Sequence, residues 1–495
     1  MDISVWFFIS SGLFLGWSLG ANNAVSLFGT AVTSKMIKFK TAAIIAGIFV
    51  ILGAFISGAG TTNTLSNLGG VNAIAGSFTV ALAVGISITW MTKASLPVST
   101  SQAVVGAIIG WNVFTGSPTD YYTLTKIVSS WVVSPVIAAL FGFLLFKLIK
   151  ITVLKWKVHM LEIDSYNRIG LIIVGAIASY SMGANNIANV MGMFVEATPF
   201  KDLFLLDFFS ISGVQQLFLL GGVAIAGGIF TYGRRVMYTV GKELYNISPI
   251  TGLTIVLAGA LVMWLFTSQS LEKFLLENNL PSIPLVPLSA TQSFIGAVIG
   301  VGLAKDPQSI NFKVFSKISL AWVVAPLTAG ILSFVLLFFV QNVFEQKVIK
   351  PIPHEISKSV AVKLISEGLD TTGFSDLIGK RFNHPKLFRY ELLKRRKLNN
   401  NELFLIFNYS LVDSFKVDST LVIEKLDKTK FSEQQIAALN ALHGKSFSHK
   451  LDFENAVFGN NNLWRKTGNK LEDRIMDEKI LLIEELFRIK NQKNK

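Results

Sequence analysis

The sequence predicts an all-α polytopic membrane protein built from two inverted-topology repeats, with broken or re-entrant helices and about 10–12 membrane segments, followed by a soluble C-terminal domain. Three observations carry that prediction. The 495 residues are 51% apolar and only 15% charged, with a mean hydropathy of +0.52, far greasier than a soluble chain of this length. Apolar stretches of membrane-crossing length recur along the first 350 residues. Three separate motifs return in the same order in the second half of that region, the mark of an internal duplication.

Taken in order, the expected spans lie around Ile3–Leu19, Thr41–Ile56, Asn72–Thr92, Thr125–Ile149, Ile169–Met182, Leu203–Phe230, Ile250–Phe266 and Ile318–Val340. The first has an acidic residue before it and no basic n-region, so it reads as a retained span and not a cleaved signal. Shorter apolar stretches at Asn23–Thr33, Val98–Phe114, Asn186–Val195 and Leu288–Leu303 each open on polar or Gly/Pro punctuation. They read as half-helices, whose freed backbone groups a membrane tolerates only where protein or a water-filled cavity covers them.

The duplication is read from GANN at 20–23, which recurs at 183–186, from LPVSTSQAVVGAIIG at 96–110, which returns as VPLSATQSFIGAVIG at 286–300, and from SWVVSPVIA at 130–138, which returns as AWVVAPLTA at 321–329. It divides the chain into a first membrane repeat at 1–150, a basic cytoplasmic linker at 151–166, an inverted second repeat at 167–343 and a soluble domain at 351–495. Loop charge supports the inversion. With five crossings per repeat and the N-terminus outside, the basic residues of KMIKFK at 35–40, Lys93, Lys147 to Arg168, Arg234/Arg235 and Lys305 to Lys317 gather on one side, as the positive-inside rule requires. An odd crossing number makes the repeats face opposite ways. The same count puts residues 351–495 outside, a side that loop charge does not determine for a long domain. Residues 1–350 hold 20 of the 45 Lys+Arg and 12 of the 31 Asp+Glu, so the tail has an ordinary soluble composition, with helical spacing over Glu472–Lys490.

Two constellations carry chemistry. Gly20 and Gly183 are expected to break their helices, so that fresh N-termini offer backbone N–H groups to an anion. Asn22, Asn23, Asn185, Asn186 and Asn189 add donors and acceptors without charge. For one such site, amide packing between helices is an equal account; two symmetry-related copies favour a central binding site. The second pair is Ser99-Thr100-Ser101-Gln102 and Ser289-Ala290-Thr291-Gln292, following Pro97 and Pro287. A Pro and then a hydroxyl mark a helix start, and hydroxyls beside N–H groups suit a tetrahedral oxyanion. Ordinary N-capping would explain one such start, but here the Gln repeats as well.

Other features weigh less. Trp131/Pro135 and Trp322/Pro326 read as packing at a kink, Arg234/Arg235 as a topological anchor, and Lys394-Arg395-Arg396-Lys397 as a solvated face with a lipid or anionic partner as the alternative. No hydrolase, metalloprotease or nucleotide-binding motif appears, and there is no Cys, so the chain is not expected to be an enzyme, to carry a cofactor or to bind nucleic acid. The reading from residues alone is a secondary transporter whose two repeats enclose one oxyanion site. An oxyanion-binding sensor that signals through residues 351–495 without transport is the alternative.

These motifs resemble the inorganic phosphate transporter (PiT) family, whose halves each carry a GANDxAN-type signature. The resemblance covers about residues 1–343 and includes the TVG stretch at 239–241. It implies an inverted-repeat fold in the cell membrane, often a homodimer, that moves phosphate coupled to sodium or protons. It also implies that Asn22 and Asn185 are the signature asparagines and that Ser99, Thr100, Ser101, Gln102, Ser289, Thr291 and Gln292 face the anion. The coupling-ion positions fall on Asn23, Ser26, Asn186 and Asn189, with a candidate sodium site near Asn23 and Asn186. The chain departs from the signature where both carboxylates are replaced by Asn23 and Asn186 and where Ser26 stands for the first second asparagine. Asn does not titrate, so proton coupling through these positions is excluded. The loss of two strong acceptors for a phosphate O–H leaves sulfate or another tetrahedral oxyanion as the alternative substrate.

Overall fold

The computed structural model describes residues 3–94, 98–156, 160–204, 210–237, 248–307, 312–426, 430–458, 462–464, 468 and 470–489. The chain divides into two compact units: Met1–Phe114 with Thr119–Glu272 and Ile283–Lys350, and Pro351–Lys495 with Thr115–Pro118 and Lys273–Ser282.

The first unit is helical. Its helices are α1 (Ile3–Ala24), α2 (Phe39–Ser57), α3 (Ala59–Leu68), α4 (Ile74–Lys93), α5 (Thr100–Thr115), α6 (Tyr121–Trp156), α7 (Met160–Met191), α8 (Gly213–Gly228), α9 (Pro249–Thr267), α11 (Ala290–Lys305) and α12 (Phe312–Asn342), with α10 (Gln269–Glu277) belonging to it only as far as Glu272. Among the described residues, eight helices are long and apolar enough to cross a bilayer, and they correspond to the eight expected spans. The stretch expected at Leu203–Phe230 begins differently. Leu203–Phe204 pairs antiparallel with Ser210–Ile211 as strands β1 and β2, and the helix starts only at Gly213, after a Ser212/Gln215 capping box that ends the extended run by satisfying the first free N–H groups. The TVG stretch at 239–241 and Pro97 lie outside the described residues.

The expected helix breaks at GANN do not occur. α7 runs unbroken through Gly183 to Met191; α1 carries Gly20 to Asn23 in regular helix and widens into a π-helical turn at Val25–Gly29 before resuming at Thr30–Thr33. The glycines serve close approach instead. A Cβ on Gly20 would run into the carbonyl of Ile225 on α8, and one on Gly183 into the carbonyl of Val50 on α2. The partner helices answer in kind, Gly228 lying on the carbonyl of Trp17 and Gly53 on that of Tyr180. Small residues on both sides of a crossing let the backbones touch, which is how helices bind where lipid removes the hydrophobic drive.

The second set of crossings follows the same exchange. Gly106 of α5 lies on the carbonyl of Pro326 in α12, and Gly296 of α11 on that of Pro135 in α6. The repeats therefore pack on each other as well as within themselves, and one core runs through both. Of the four expected half-helices, those at Val98–Phe114 and Leu288–Leu303 are present as α5 and α11, 16 residues each and so about 24 Å long, too short to span the hydrocarbon alone, whereas those at Asn23–Thr33 and Asn186–Val195 continue the helices before them.

The second unit contains a duplication of its own. Strand β3 (His354–Glu355), α13 (Lys358–Ser366), β4 (Arg381–Phe382), α14 (Pro385–Arg395) and α15 (Asn400–Tyr409) are followed by β5 (Phe415–Lys416), α16 (Ser419–Lys425), α17 (Glu433–Asn440), β6 (Ser446–Phe447), α18 (Lys450–Phe458) and α19 (Lys470–Phe487). β3 pairs antiparallel with β4, and β5 with β6. The turn before each second strand is a left-handed glycine, Gly379 at φ 79° and Gly444 at φ 80°. Their N–H groups donate to the carbonyls of Ile356 and Val417, 2.9 Å in both cases. Each half closes when its end returns to its start, Val412 N–H donating to the Pro353 carbonyl and Ile489 N–H to that of Ser414. A GK-x-F-x-H pattern at 379–384 and 444–449 is the sequence trace of the repeat. Two core clusters follow the halves, one around Ile356, Phe388 and Ile406 that also takes in Leu451 of α18, the other around Phe415, Phe453 and Ile483.

Candidate functional site

The starts of α5 and α11 and the GANN turns of α1 and α7 meet in the interior of the first unit. Asn22, Asn23, Ser26, Ser99, Thr100, Ser101, Gln102, Asn185, Asn186, Asn189, Ser289, Thr291 and Gln292 are all buried. Among its described residues, every fully buried polar side chain of this unit is neutral.

The two helix starts are built alike. Ser99 and Ser289 are N-caps whose hydroxyls accept from the N–H groups of Gln102 (3.4 Å) and Gln292 (3.2 Å), so the capping expected of a Ser in this position is present. Across the pseudo-symmetry the starts lock together. Ser101 Oγ donates to the carbonyl of Leu288 at 2.7 Å, and Thr291 Oγ1 donates to that of Val98 at 3.0 Å. The signature asparagines bind the same two carbonyls, Asn22 Nδ2 donating to Val98 at 3.0 Å and Asn185 Nδ2 to Leu288 at 2.8 Å. Asn185 Oδ1 also accepts from the Leu288 N–H at 2.8 Å, and Asn22 Oδ1 from Thr92 Oγ1 at 3.3 Å. Asn22 and Asn185 thus tie the GANN turns to the backbone just ahead of each helix start. Val98, Leu288 and Thr92 were not legible as site residues, because a carbonyl leaves no side-chain signature and Thr92 has no counterpart in a repeated motif.

At the positions where the signature has carboxylates, Asn23 Oδ1 accepts from Asn22 Nδ2 (3.1 Å) and lies 3.4 Å from Thr291 Oγ1, whose single proton it shares with the nearer Val98 carbonyl. Asn186 Oδ1 accepts from Asn189 Nδ2 at 3.2 Å, and Asn189 Nδ2 also donates to Ser101 Oγ at 2.9 Å. Ser26 turns away to the carbonyl of Asn23.

Four polar atoms in this cluster are buried without a partner: Thr100 Oγ1, Gln102 Oε1, Asn189 Oδ1 and Gln292 Oε1. Because both donors of Asn189 Nδ2 are occupied, its oxygen is the free end of that amide. An orphaned buried polar group costs about 1–3 kcal/mol, so these three amide oxygens and one hydroxyl are the atoms of the cluster that the protein itself leaves open to a partner. Gln102 and Gln292 also border a cavity of about 570 Å³ with Trp131 and Trp322 on its wall, and both indole Nε1–H groups lack a partner. Among the described residues no cluster of three His, Cys, Asp or Glu exists to hold a metal ion. Any cation here would be held by neutral oxygens.

Two interlocked helical repeats that enclose one uncharged polar site, fed by short helices starting inside the membrane, are the architecture of a secondary membrane transporter. The chain belongs to the phosphate transporter family, whose profile matches residues 19–272 and 276–439. It is thus a multi-pass integral membrane protein of a transporter family, not an enzyme. A protein of Pyrococcus abyssi named as a phosphate permease is 27% identical over 416 residues, covering 67% of this chain and 97% of that protein. One of Methanocaldococcus jannaschii with the same designation is 27% identical, with 68% and 98% covered. The solved structure of a protein named the sodium-dependent phosphate transporter superposes with a TM-score of 0.55 at 22% identity, covering 68% of this chain and 99% of that one; at that identity the likeness speaks for the fold.

Proposed function

We propose that the chain is a secondary active transporter of inorganic phosphate, a symporter that binds the anion between the starts of α5 and α11 and exposes it to the two sides of the bilayer in turn. Family membership supports the substrate class. The observation that carries the finer reading is the set of unpartnered carbonyl oxygens, Gln102 Oε1, Asn189 Oδ1 and Gln292 Oε1. Phosphate near neutral pH keeps at least one proton and offers an O–H to such an acceptor, whereas sulfate offers none. Phosphate carries one or two O–H groups at this pH, so it pairs one or two of the three amide oxygens where sulfate pairs none, and the site favours phosphate because more buried acceptors stay unpaired when the wrong anion enters. Thr100 Oγ1, the N–H groups at the two helix starts and their dipoles supply the donors for the remaining oxygens. Asn22 and Asn185, already engaged by the chain, are positioning residues.

Sodium is the coupling ion in this reading, in keeping with the sodium dependence named for the structurally similar transporter. Its ligands are the neutral oxygens around Asn23 and Asn186, since neither side chain titrates and proton coupling through them is excluded. We take the assembly to be a homodimer.

The test is uptake of labelled phosphate and sulfate into proteoliposomes with sodium and proton gradients imposed separately. Sodium-driven accumulation of phosphate in preference to sulfate is expected. Binding without gradient-driven accumulation of either anion would leave the sensor reading in its place, and a preference for sulfate would remove the role given to the amide oxygens.

A further inference from the structure

The duplicated tail contains an internal control for its own surface. α14 in the first half and α18 in the second hold equivalent places, 65 residues apart, and bury equivalent aromatics, Phe388 and Phe453. Their outer faces differ. α14 exposes Leu387, Tyr390 and Leu393, at 59%, 61% and 42%, three residues apart and so on one side of the helix. The equivalent positions of α18 are Asp452, Asn455 and Phe458, and Asp452 is engaged by Ser359 Oγ at 2.7 Å. The apolar face on α14 is therefore not demanded by the fold the two halves share.

The charges beside it are sorted as well. Of the basic run Lys394 to Lys397, Arg395 is held by Asp376 and Glu391, and Arg396 lies 3.8 Å from Asp370 and 3.7 Å from Glu402. That leaves Lys394 and Lys397, both exposed, turned outward at the end of the stripe with Arg389 half-buried along it. A helix with leucines and a tyrosine on one face and lysines at its border is the composition of a segment that lies in the headgroup layer of an anionic bilayer. Tyr favours that depth because its ring is apolar and its hydroxyl polar. This helix belongs to a chain that also spans a membrane. Residues 343–350, which follow α12, are fastened to the membrane unit, Val348 buried in its core and Lys350 exchanging two hydrogen bonds with Asn72 (2.9 and 2.8 Å), so the tail begins at Pro351 directly after an anchored segment.

We propose that the Leu387–Tyr390–Leu393 face of α14 docks on the anionic lipid surface of the bilayer that the chain itself spans, with Lys394 and Lys397 supplying the attraction to acidic headgroups. The tail is then a peripheral membrane module as well as a soluble one.

The chain has no Cys, so a single thiol can report on each face. Leu387→Cys and, as the control, Asn455→Cys are labelled with an environment-sensitive fluorophore in the full-length chain. Each is placed in nanodiscs of phosphatidylcholine alone or mixed with phosphatidylglycerol, with headgroup-spin-labelled lipid as quencher. The expected result is quenching at position 387 in the anionic discs, weakened in neutral discs and by high salt, and none at 455. Lys394→Gln or Lys397→Gln should weaken the docking equilibrium about fivefold each. Equal responses at 387 and 455 would overturn the proposal. Shielding of 387 that is the same in neutral discs and in detergent would overturn it too, assigning the face to protein packing. Shielding that grows with protein concentration would assign it to a second copy.

Discussion

Replacing Gln292 by Met separates the ligand-binding role of the amide from any structural one, because the two roles predict opposite signs. Gln292 is buried, its backbone N–H is held by Ser289 Oγ at 3.2 Å, and its Oε1 has no partner. Methionine keeps the backbone cap and a similar unbranched volume while deleting the orphaned acceptor. In the ligand-free protein this removes a desolvation cost of about 1–3 kcal/mol, so the variant should be more stable than the parent. In the phosphate complex it deletes a hydrogen bond to a charged ligand worth about 1.5–3 kcal/mol, a loss of about 10- to 150-fold in phosphate affinity. Sulfate, with no proton to donate, should be little affected, so the phosphate/sulfate ratio falls by nearly the whole factor. Thermal unfolding with and without each anion, together with competition between labelled anions in proteoliposomes, measures both signs. A variant that is less stable without ligand and has an unchanged phosphate/sulfate ratio would refute the reasoning, for then the amide is a packing group.

Three further outcomes are expected. Gly20→Ala or Gly183→Ala forces apart the crossing with Ile225 or Val50 and should cost about 3 kcal/mol or more, seen as a lowered unfolding temperature and loss of monodispersity; near-parental stability would mean that the crossings are slack. Asn23→Asp with Asn186→Asp keeps the acceptors used by Asn22, Thr291 and Asn189 while adding charge for a cation, so half-saturating sodium for uptake should fall about tenfold. In the tail, burial lowers the pKa of His354 to about 4; the folded form holds it neutral, so its contribution is full above the unfolded value of 6.5 and is lost as pH falls toward 4, about 3 kcal/mol in all. His354→Phe should abolish that acid sensitivity, read as protection of residues 351–411 from pepsin near pH 4.5.

The phenylalanine in that last variant is already present in the other half. His354 stacks on Phe388 at 5.1 Å, and 61 residues on, Phe415 stacks on Phe453 at 4.5 Å. The relation was not legible in the sequence, because only a Gly, a Lys, a Phe and a His recur near each second strand and the helices between have diverged. The membrane repeat was legible because its residues face chemistry and packing on both sides. The eight spans and the convergence of two S/T-Q helix starts with two GANN turns all follow from motif and hydropathy. The conformation at GANN does not follow. Gly20 breaks a helix or admits a neighbour depending on whether a backbone lies against it, and that backbone, Ile225, is 205 residues away. Local propensity sees a poor helix former; the crossing it permits outweighs that loss.

The unbroken GANN helices change how the missing carboxylates are to be understood. Had each helix broken there, its N-terminal N–H groups would have faced the anion and the asparagines would have served as added donors. In regular helix those N–H groups are consumed by the helix itself, and the asparagines fasten two neighbouring helix starts through Val98 and Leu288. The anion is then left to α5 and α11, whose N-termini supply positive dipole and whose glutamines supply unpartnered oxygens. A carboxylate at 23 or 186 would sit in a position whose hydrogen bonds are already made by an amide. Its loss removes charge from the cluster without removing an acceptor, and a site so arranged depends on the proton carried by its ligand instead of one carried by the protein.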